Sequence, residues 1–228
     1  MKILVTGAAS GLGAALTRAW RLRGDDVLTT DLAGHDVDLT LDITSDDDWA
    51  TAFEEVQTRW GGLDILVNNA GVAGGGRLDV ATIDEWHWIT KINLFGAVRG
   101  TRTFVPLFKR QRSGHIVNVA SLAGLVHPAG MASYNAVKAA VVALTETTGH
   151  ELEAYGVRAS VVCPSYFRTN LMDSIQGADT ALAGMDAGDD VIVPDEPARQ
   201  AYFLKWADRP AYDAVMRDQA AKLRAAGS

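Results

Sequence analysis

The 228-residue chain carries one cysteine, six prolines and only 7% aromatic side chains. A single thiol excludes a disulfide framework and any cysteine-rich metal site. Cys163 lies in the apolar run VVCP and reads as a buried strand thiol. Basic charge is scarce as well, with 21 Lys and Arg against 28 Asp and Glu, a net charge of −7. A nucleic-acid-binding domain shows a basic face, and with no Lys/Arg stripe here nucleic acid is not an expected partner. The five histidines have no metal-ligand spacing, so no metal is expected. No apolar run approaches the ~20 residues of a membrane span. MKILVTG is too short before its first glycine for a signal peptide, so a cytoplasmic location with no membrane partner is expected. Linker composition, internal repeats and low-complexity tracts are all missing, which predicts one domain over residues 1–228.

What is present is alternation. KILVTG, DVLTTD, VDLTLDI, LDILVNNA, GHIVNVAS and VRASVVCP are near-continuous apolar runs, as strands covered on both faces require. Helical spacing separates them: Leu12, Ala15, Leu16, Ala19 and Trp20 fall on one side of the first helix. Ser45 with Asp48, and Thr82 with Glu85, have the spacing of capping boxes. The acidic triplet 46–48 opens a helix, where negative charge suits the macrodipole, and reads as a solvated face. Repeated β-α alternation predicts an α/β fold of the Rossmann type: a doubly wound parallel sheet of about seven strands with right-handed crossovers.

The residues that end these strands are polar or glycine: Gly7, Asp31, Asp42, Asn68 with Asn69, Ser121 and Pro164. In an open parallel sheet the carboxyl ends of the strands line one crevice, the usual ligand site. TGAASGLG, residues 6–13, joins a strand to a helix through three glycines and offers backbone N–H groups to a pyrophosphate. Its spacing, G-x3-G-x-G, meets the common dinucleotide fingerprint only in part, and a structural turn stays open as an alternative. Asp31 lies 24 residues beyond Gly7, where a carboxylate accepts hydrogen bonds from an adenosine ribose; a turn cap is the alternative. Tyr134 and Lys138 are four apart and so share a helix face. An ammonium beside a phenol would bring its pKa of ~10 toward the working range of a base.

In this order and at this spacing the motifs resemble those of the short-chain dehydrogenases/reductases, in their compact single-domain branch, from Met1 to about Thr169. TGAASGLG is similar to the family's cofactor loop, and NNAG at 68–71 to its fourth-strand motif. INLFG around Asn93, ASLAG with Ser121, and SYNAVKAA with Tyr134 and Lys138 resemble its catalytic segments. The resemblance implies a nicotinamide-dependent oxidoreductase interconverting a secondary alcohol and its ketone. It implies that Tyr134 is the acid/base, Ser121 orients the substrate oxygen, and Lys138 lowers the phenol pKa and holds the nicotinamide ribose. Asn93 would kink its helix and hold a water that relays protons. The cofactor residues it implies are Gly7, Ser10, Gly11, Leu12 and Gly13 in the first loop, and Asp31 and Leu32 after the second strand. Asp42 and Ile43 would meet the adenine, and Asn69, Ala70 and Gly71 the ribose, with Tyr134, Lys138, Pro164, Phe167 and Thr169 at the nicotinamide.

Asp31, with no basic residue at Ser10 or Leu32, favours NAD over NADP. The alternatives are an NADPH-dependent 3-oxoacyl-thioester reductase and a non-catalytic dinucleotide-sensing scaffold. Leu125, Val126, Met131, Tyr166, Leu171 and Met172 predict an apolar alcohol or ketone as substrate, with His127 and Met131 on the pocket rim. Trp86 and Trp88 read as core or interface. Two features depart from the family. Pro164-Ser165 and Phe167 replace its usual loop, and VIVP at 191–194 follows Pro164 by only 27 residues. The stretch 165–190, rich in Gly, Ala and Asp, predicts a short mobile lid, followed by tail helices starting near Asp195 and Pro210. The family pairs through helices at about 83–111 and 132–154; Phe104, Leu107 and Phe108 look too numerous for one sheet face, so a homodimer or homotetramer is expected.

Overall fold

The computed structural model describes residues 1–74, 76–165 and 171–225. Its centre is a seven-stranded sheet in the order β3-β2-β1-β4-β5-β6-β7, every pair parallel. The strands are β1 Lys2–Thr6, β2 Asp26–Asp31, β3 Leu39–Thr40, β4 Ile65–Asn68, β5 Gly114–Val119, β6 Val157–Val162 and β7 Val191–Ile192. The order reverses between β1 and β4. In doubly wound sheets that switch point opens a crevice at the carboxyl ends of the strands.

The apolar runs are continuous because both faces are covered. Ile3, Val5, Val27, Ile65, Val67 and Val117 point to one side of the sheet, where α1 (Gly11–Leu22) and α7 (Leu171–Ala187) pack. Leu4, Leu28, Leu66 and Ile116 point to the other, against α2 (Asp46–Trp60) and α4 (Phe95–Gln111). Both N-cap bonds form: Ser45 Oγ accepts from Asp48 N at 3.2 Å and Thr82 Oγ1 accepts from Glu85 N at 3.2 Å. The second opens α3 (Ile83–Asn93). The remaining helices are α5 Ala123–Val126, α6 Ala132–Leu152, α8 Glu196–Ala207 and α9 Arg209–Ala225. The tail helices start where the sequence indicates, and Asp195 caps α8 by accepting from Ala198 N at 2.9 Å.

Four expectations are corrected. Residues 171–187 are not a mobile lid but a helix. Ala178, Ala181, Leu182 and Met185 are buried in one cluster with Leu16 and Trp20 of α1. Small side chains let the helix axes approach closely, so a segment poor in bulk still packs. Phe104, Leu107 and Phe108 do not await a partner: all three are buried within the chain, with Phe104 against Trp49 and Phe53 of α2. The acidic triplet is also more than a solvated face. Asp48 accepts from Asp42 N at 2.8 Å, and Asp46 pairs with Arg99 at 2.7 Å. Finally, the helix at 83–111 is interrupted at Leu94, directly after Asn93.

Candidate active site

The crevice contains two cavities, one on each side of the glycine loop. The first, of about 570 Å³, is lined by Gly7, Ser10, Asp31 and Leu32, by Asp42 and Ile43, and by Asn69, Ala70 and Gly71. The second, of about 470 Å³, is bordered by Gly11, Leu12, Ser121, Tyr134 and Pro164. All but a few of the expected site residues therefore converge on one end of the sheet. Tyr166, Phe167, Thr169 and the side chains of Leu171 and Met172 lie outside the described residues.

The glycine loop is built by close approach. Gly7 has a φ of +64°, a left-handed conformation that side chains resist. A Cβ on Gly13 would sit 2.2 Å from Gly7 O and 2.5 Å from Asn69 Nδ2, so only glycine fits beneath the turn. Gly11, by contrast, faces open space, with nothing within 4 Å of a Cβ position. Asn69 staples the loop to β4: its Nδ2 donates to Thr6 O at 2.9 Å and to Gly7 O at 3.0 Å. Thr6 Oγ1 in turn accepts from Asn69 N and Ala70 N, both at 3.0 Å. Asp31 is aimed by two backbone donors, Ala9 N at 3.0 Å and Leu32 N at 2.8 Å. These bonds hold its carboxylate at the edge of the first cavity, beside Ser10 and Leu32. This open loop, floored by glycine and edged by a carboxylate, fits the pyrophosphate and ribose of a dinucleotide.

Sequence reasoning missed the far wall of that cavity. Trp88, Lys91 and Ile92 of α3 face it, and Trp88 is 45% exposed rather than core. The signal was available in their spacing ahead of Asn93, which puts them on the helix that borders β4's loop.

Tyr134 borders the second cavity from α6, and Lys138, one turn further along the helix, has its Nζ 5.7 Å from the phenol ring centroid. Lys138 is buried and donates to Val119 O at 3.0 Å. Burial brings its ammonium down to about 8, the neighbouring Cys163 acting weakly the other way. Burial also holds the Tyr134 phenol above its usual value, and the hydrogen bond with Ser121 pulls it back only in part. The hydrogen bond with Ser121 alone does not bring the phenol into the range of a base, because desolvation outweighs it. At neutral pH the phenol is protonated and poised to donate. Ser121 is itself fixed, its Oγ accepting from Ala123 N at 3.2 Å and reaching Pro164 O at 3.5 Å.

Asn93 is buried and clamps the β4 loop from both sides, Oδ1 accepting from Val72 N and Nδ2 donating to Val72 O, each at 3.0 Å. Burial pushes the Cys163 thiol up to about 12, which makes it an inert strand residue. Val126 and Met131 line the second cavity as expected, but Leu125 is packed in the core behind it. His127 is not on the rim. It turns to Lys205 Nζ at 3.1 Å through Nδ1 and to Gly124 O at 3.1 Å through Nε2.

The family model for short chain dehydrogenase matches residues 1–180. The chain belongs to the short-chain dehydrogenases/reductases. Among curated relatives, the 3-oxoacyl-acyl-carrier-protein reductase FabG of Thermotoga maritima is 31% identical over 218 residues, covering 88% of each chain. A short-chain dehydrogenase from Burkholderia cenocepacia, solved in complex with NADP, superposes with a TM-score of 0.83 at 29% identity, covering 95% of this chain and 99% of that one. One from Burkholderia phymatum in complex with NAD gives 0.81 at 26% identity, over 91% of this chain and 93% of that one. Members of this family are oxidoreductases acting on CH–OH groups with a nicotinamide dinucleotide. Among the described residues no helix is long and apolar enough to cross a membrane, and no group of three or more His, Cys, Asp or Glu could hold a metal ion.

Proposed function

We propose that the protein interconverts a secondary alcohol and its ketone with NAD(H), Tyr134 exchanging the hydroxyl proton. The observation that carries this is the shared cavity of Ser121 and Tyr134, with Lys138 buried behind the ring. The bound dinucleotide supplies the hydride acceptor or donor. Gly7, Gly11, Leu12 and Gly13 cradle its phosphates, and Asp31, Asp42, Ile43, Asn69, Ala70 and Gly71 receive its adenosine half. Ser121 holds the substrate oxygen against Tyr134. In the reductive direction the protonated phenol gives its proton to that oxygen; in the oxidative direction the phenolate takes it back. Lys138 binds the cofactor ribose and favours the phenolate once formed.

NAD is favoured because Asp31 stands where a 2′-phosphate would bring roughly −2 charge beside a carboxylate. Two unit charges ~4 Å apart repel by about 1 kcal/mol even in bulk water. Losing the ribose hydrogen bonds adds to this, so discrimination of about 10²-fold is expected. Lys91 on the same cavity is the feature that supports the rival reading, an NADPH-dependent 3-oxoacyl-thioester reductase like the Thermotoga relative. A cytoplasmic homo-oligomer acting on a small apolar alcohol or ketone completes the proposal. The test follows NADH and NADPH oxidation against a panel of cyclic ketones and a 3-oxoacyl thioester. A kcat/KM about 10²-fold higher with NADH and a cyclic ketone supports the proposal. Equal cofactor use, or a preference for NADPH and the thioester, replaces it with the rival.

A further inference from the structure

The wall of the second cavity facing away from the sheet comes from an unexpected place. The crossover after β6 is committed elsewhere, because Ala178, Ala181 and Leu182 of α7 are buried against α1. Among the described residues that follow Ser165, those that come back to the site lie after β7. Asp195 Oδ2 accepts from Ser165 N at 3.0 Å, tying the start of α8 to the loop that follows β6. Lys205, further along α8, donates to Leu125 O and meets His127, so the segment between Ser121 and Tyr134 is held by the same helix. On α9, Tyr212 is buried in one cluster with Ala120 and Cys163. Near its end, Leu223 Cδ1 lies 2.8 Å from where a Cβ on Gly130 would stand. Four separate anchors thus place the tail over the site.

As a result Ala201 of α8 and Met216 and Gln219 of α9 line the cavity that contains Tyr134. Among the described residues that border this cavity none is charged. We infer that α8 and α9 form the specificity wall of the active site, with Met216 setting the size of the group carried by an uncharged alicyclic substrate. This rests on the proposed alcohol–ketone chemistry and adds its substrate class. Met216 is half-buried, with its flank packed against the third core cluster, so its volume limits the space across from Tyr134. Thioether side chains are unbranched and adaptable, which suits a wall that accepts a range of ring substituents. Gln219 is exposed at the mouth, where it leaves the entrance polar and neutral.

The test compares 4-methylcyclohexanone with 4-tert-butylcyclohexanone in wild type, Met216→Ala and Met216→Phe. Met216→Ala should raise the kcat/KM ratio of the bulkier to the smaller ketone by about tenfold or more, tenfold being the low end of what one methylene is worth in an apolar pocket. Met216→Phe should lower it, and cofactor Kd should stay constant in both. The same ketones are titrated by calorimetry into Tyr134→Phe carrying either Met216 substitution, with saturating cofactor, so binding is read without turnover. Turnover with an unmoved ratio overturns the wall and leaves the proposed function intact. Binding that shifts with Met216 but no wild-type turnover supports the wall and overturns the function. Neither turnover nor binding overturns both.

Discussion

The two cavities of the crevice are made in different ways. The first sets a far wall of Trp88, Lys91 and Ile92 against a side of backbone and short side chains: a left-handed glycine, a glycine with no room for a methyl group, and a carboxylate aimed by amide donors. Its loop is fixed by hydrogen bonds between residues close to strand ends, and Gly7 and Gly13 leave no room for a Cβ. The second has a floor of Ser121 and Tyr134, with walls of Val126 and Met131 from the stretch between them and of Met216 from the distant α9. The first cavity is suited to an invariant ligand. The second is suited to a ligand that differs between relatives. That contrast fits a family in which one cofactor class serves many alcohols.

The largest effect on cofactor binding should come from the first cavity. Gly13→Ala forces a methyl group to within 2.2 Å of Gly7 O, a backbone atom that cannot move aside. Overpacking of this kind costs ~1–3 kcal/mol of stability. Because the displaced atoms are the cofactor loop itself, dinucleotide binding should weaken by about 10²-fold or more. Calorimetry with NADH checks it; unchanged affinity would mean the loop is not the phosphate cradle.

Next in size is the pH dependence of the second cavity. The Tyr134 phenol is held above its usual value by burial, so its proton is present at neutral pH and lost only in alkali. Alcohol oxidation needs the phenolate, and its kcat should rise by up to about tenfold per pH unit from neutral pH upward. Ketone reduction uses the protonated form and should be flat near neutrality, then fall. Oxidation that is already independent of pH at neutrality would show that the bound complex has a phenol pKa well below the usual value.

A smaller effect is expected at Asn69. Asn69→Ala removes two donations that tie the glycine loop to β4, each worth ~1 kcal/mol net. Cofactor affinity should fall several-fold with little change in ketone KM. Equal losses for both ligands would indicate that the two cavities are not separable.

The same contrast explains what the sequence revealed. The loop side of the first cavity, though not its far wall of Trp88, Lys91 and Ile92, was legible almost residue by residue, because TGAASGLG, Asp31 and NNAG are local patterns whose spacing carries their chemistry. The floor of the second was legible for the same reason, in Ser121 and the Tyr134–Lys138 pair. Its outer wall was not. Met216 lines the cavity of Tyr134 because Asp195, Lys205, Tyr212 and Leu223 find partners far away in the chain, and no local period announces such contacts. Residues 171–187 were misread because Ala and Gly bury little surface each. Their value is close approach: a Cβ on Gly184 would stand 2.9 Å from Ile192. Phe104, Leu107 and Phe108 were counted as surplus because Trp49 and Phe53, which cover Phe104, come from a separate helix.

The central claim is a division of labour, with Asp31 reading the cofactor in one cavity and Tyr134 moving the proton in the other. Its most direct test measures cofactor Kd and kcat side by side for Asp31→Ala and Tyr134→Phe. Asp31→Ala should weaken NADH, narrow its advantage over NADPH and leave kcat near wild type. Tyr134→Phe should leave NADH affinity unchanged and cut kcat by ~10²–10⁴-fold, the span of a general acid–base group. A Tyr134→Phe enzyme that kept its kcat, or an Asp31→Ala enzyme that lost kcat with its cofactor affinity intact, would contradict the account.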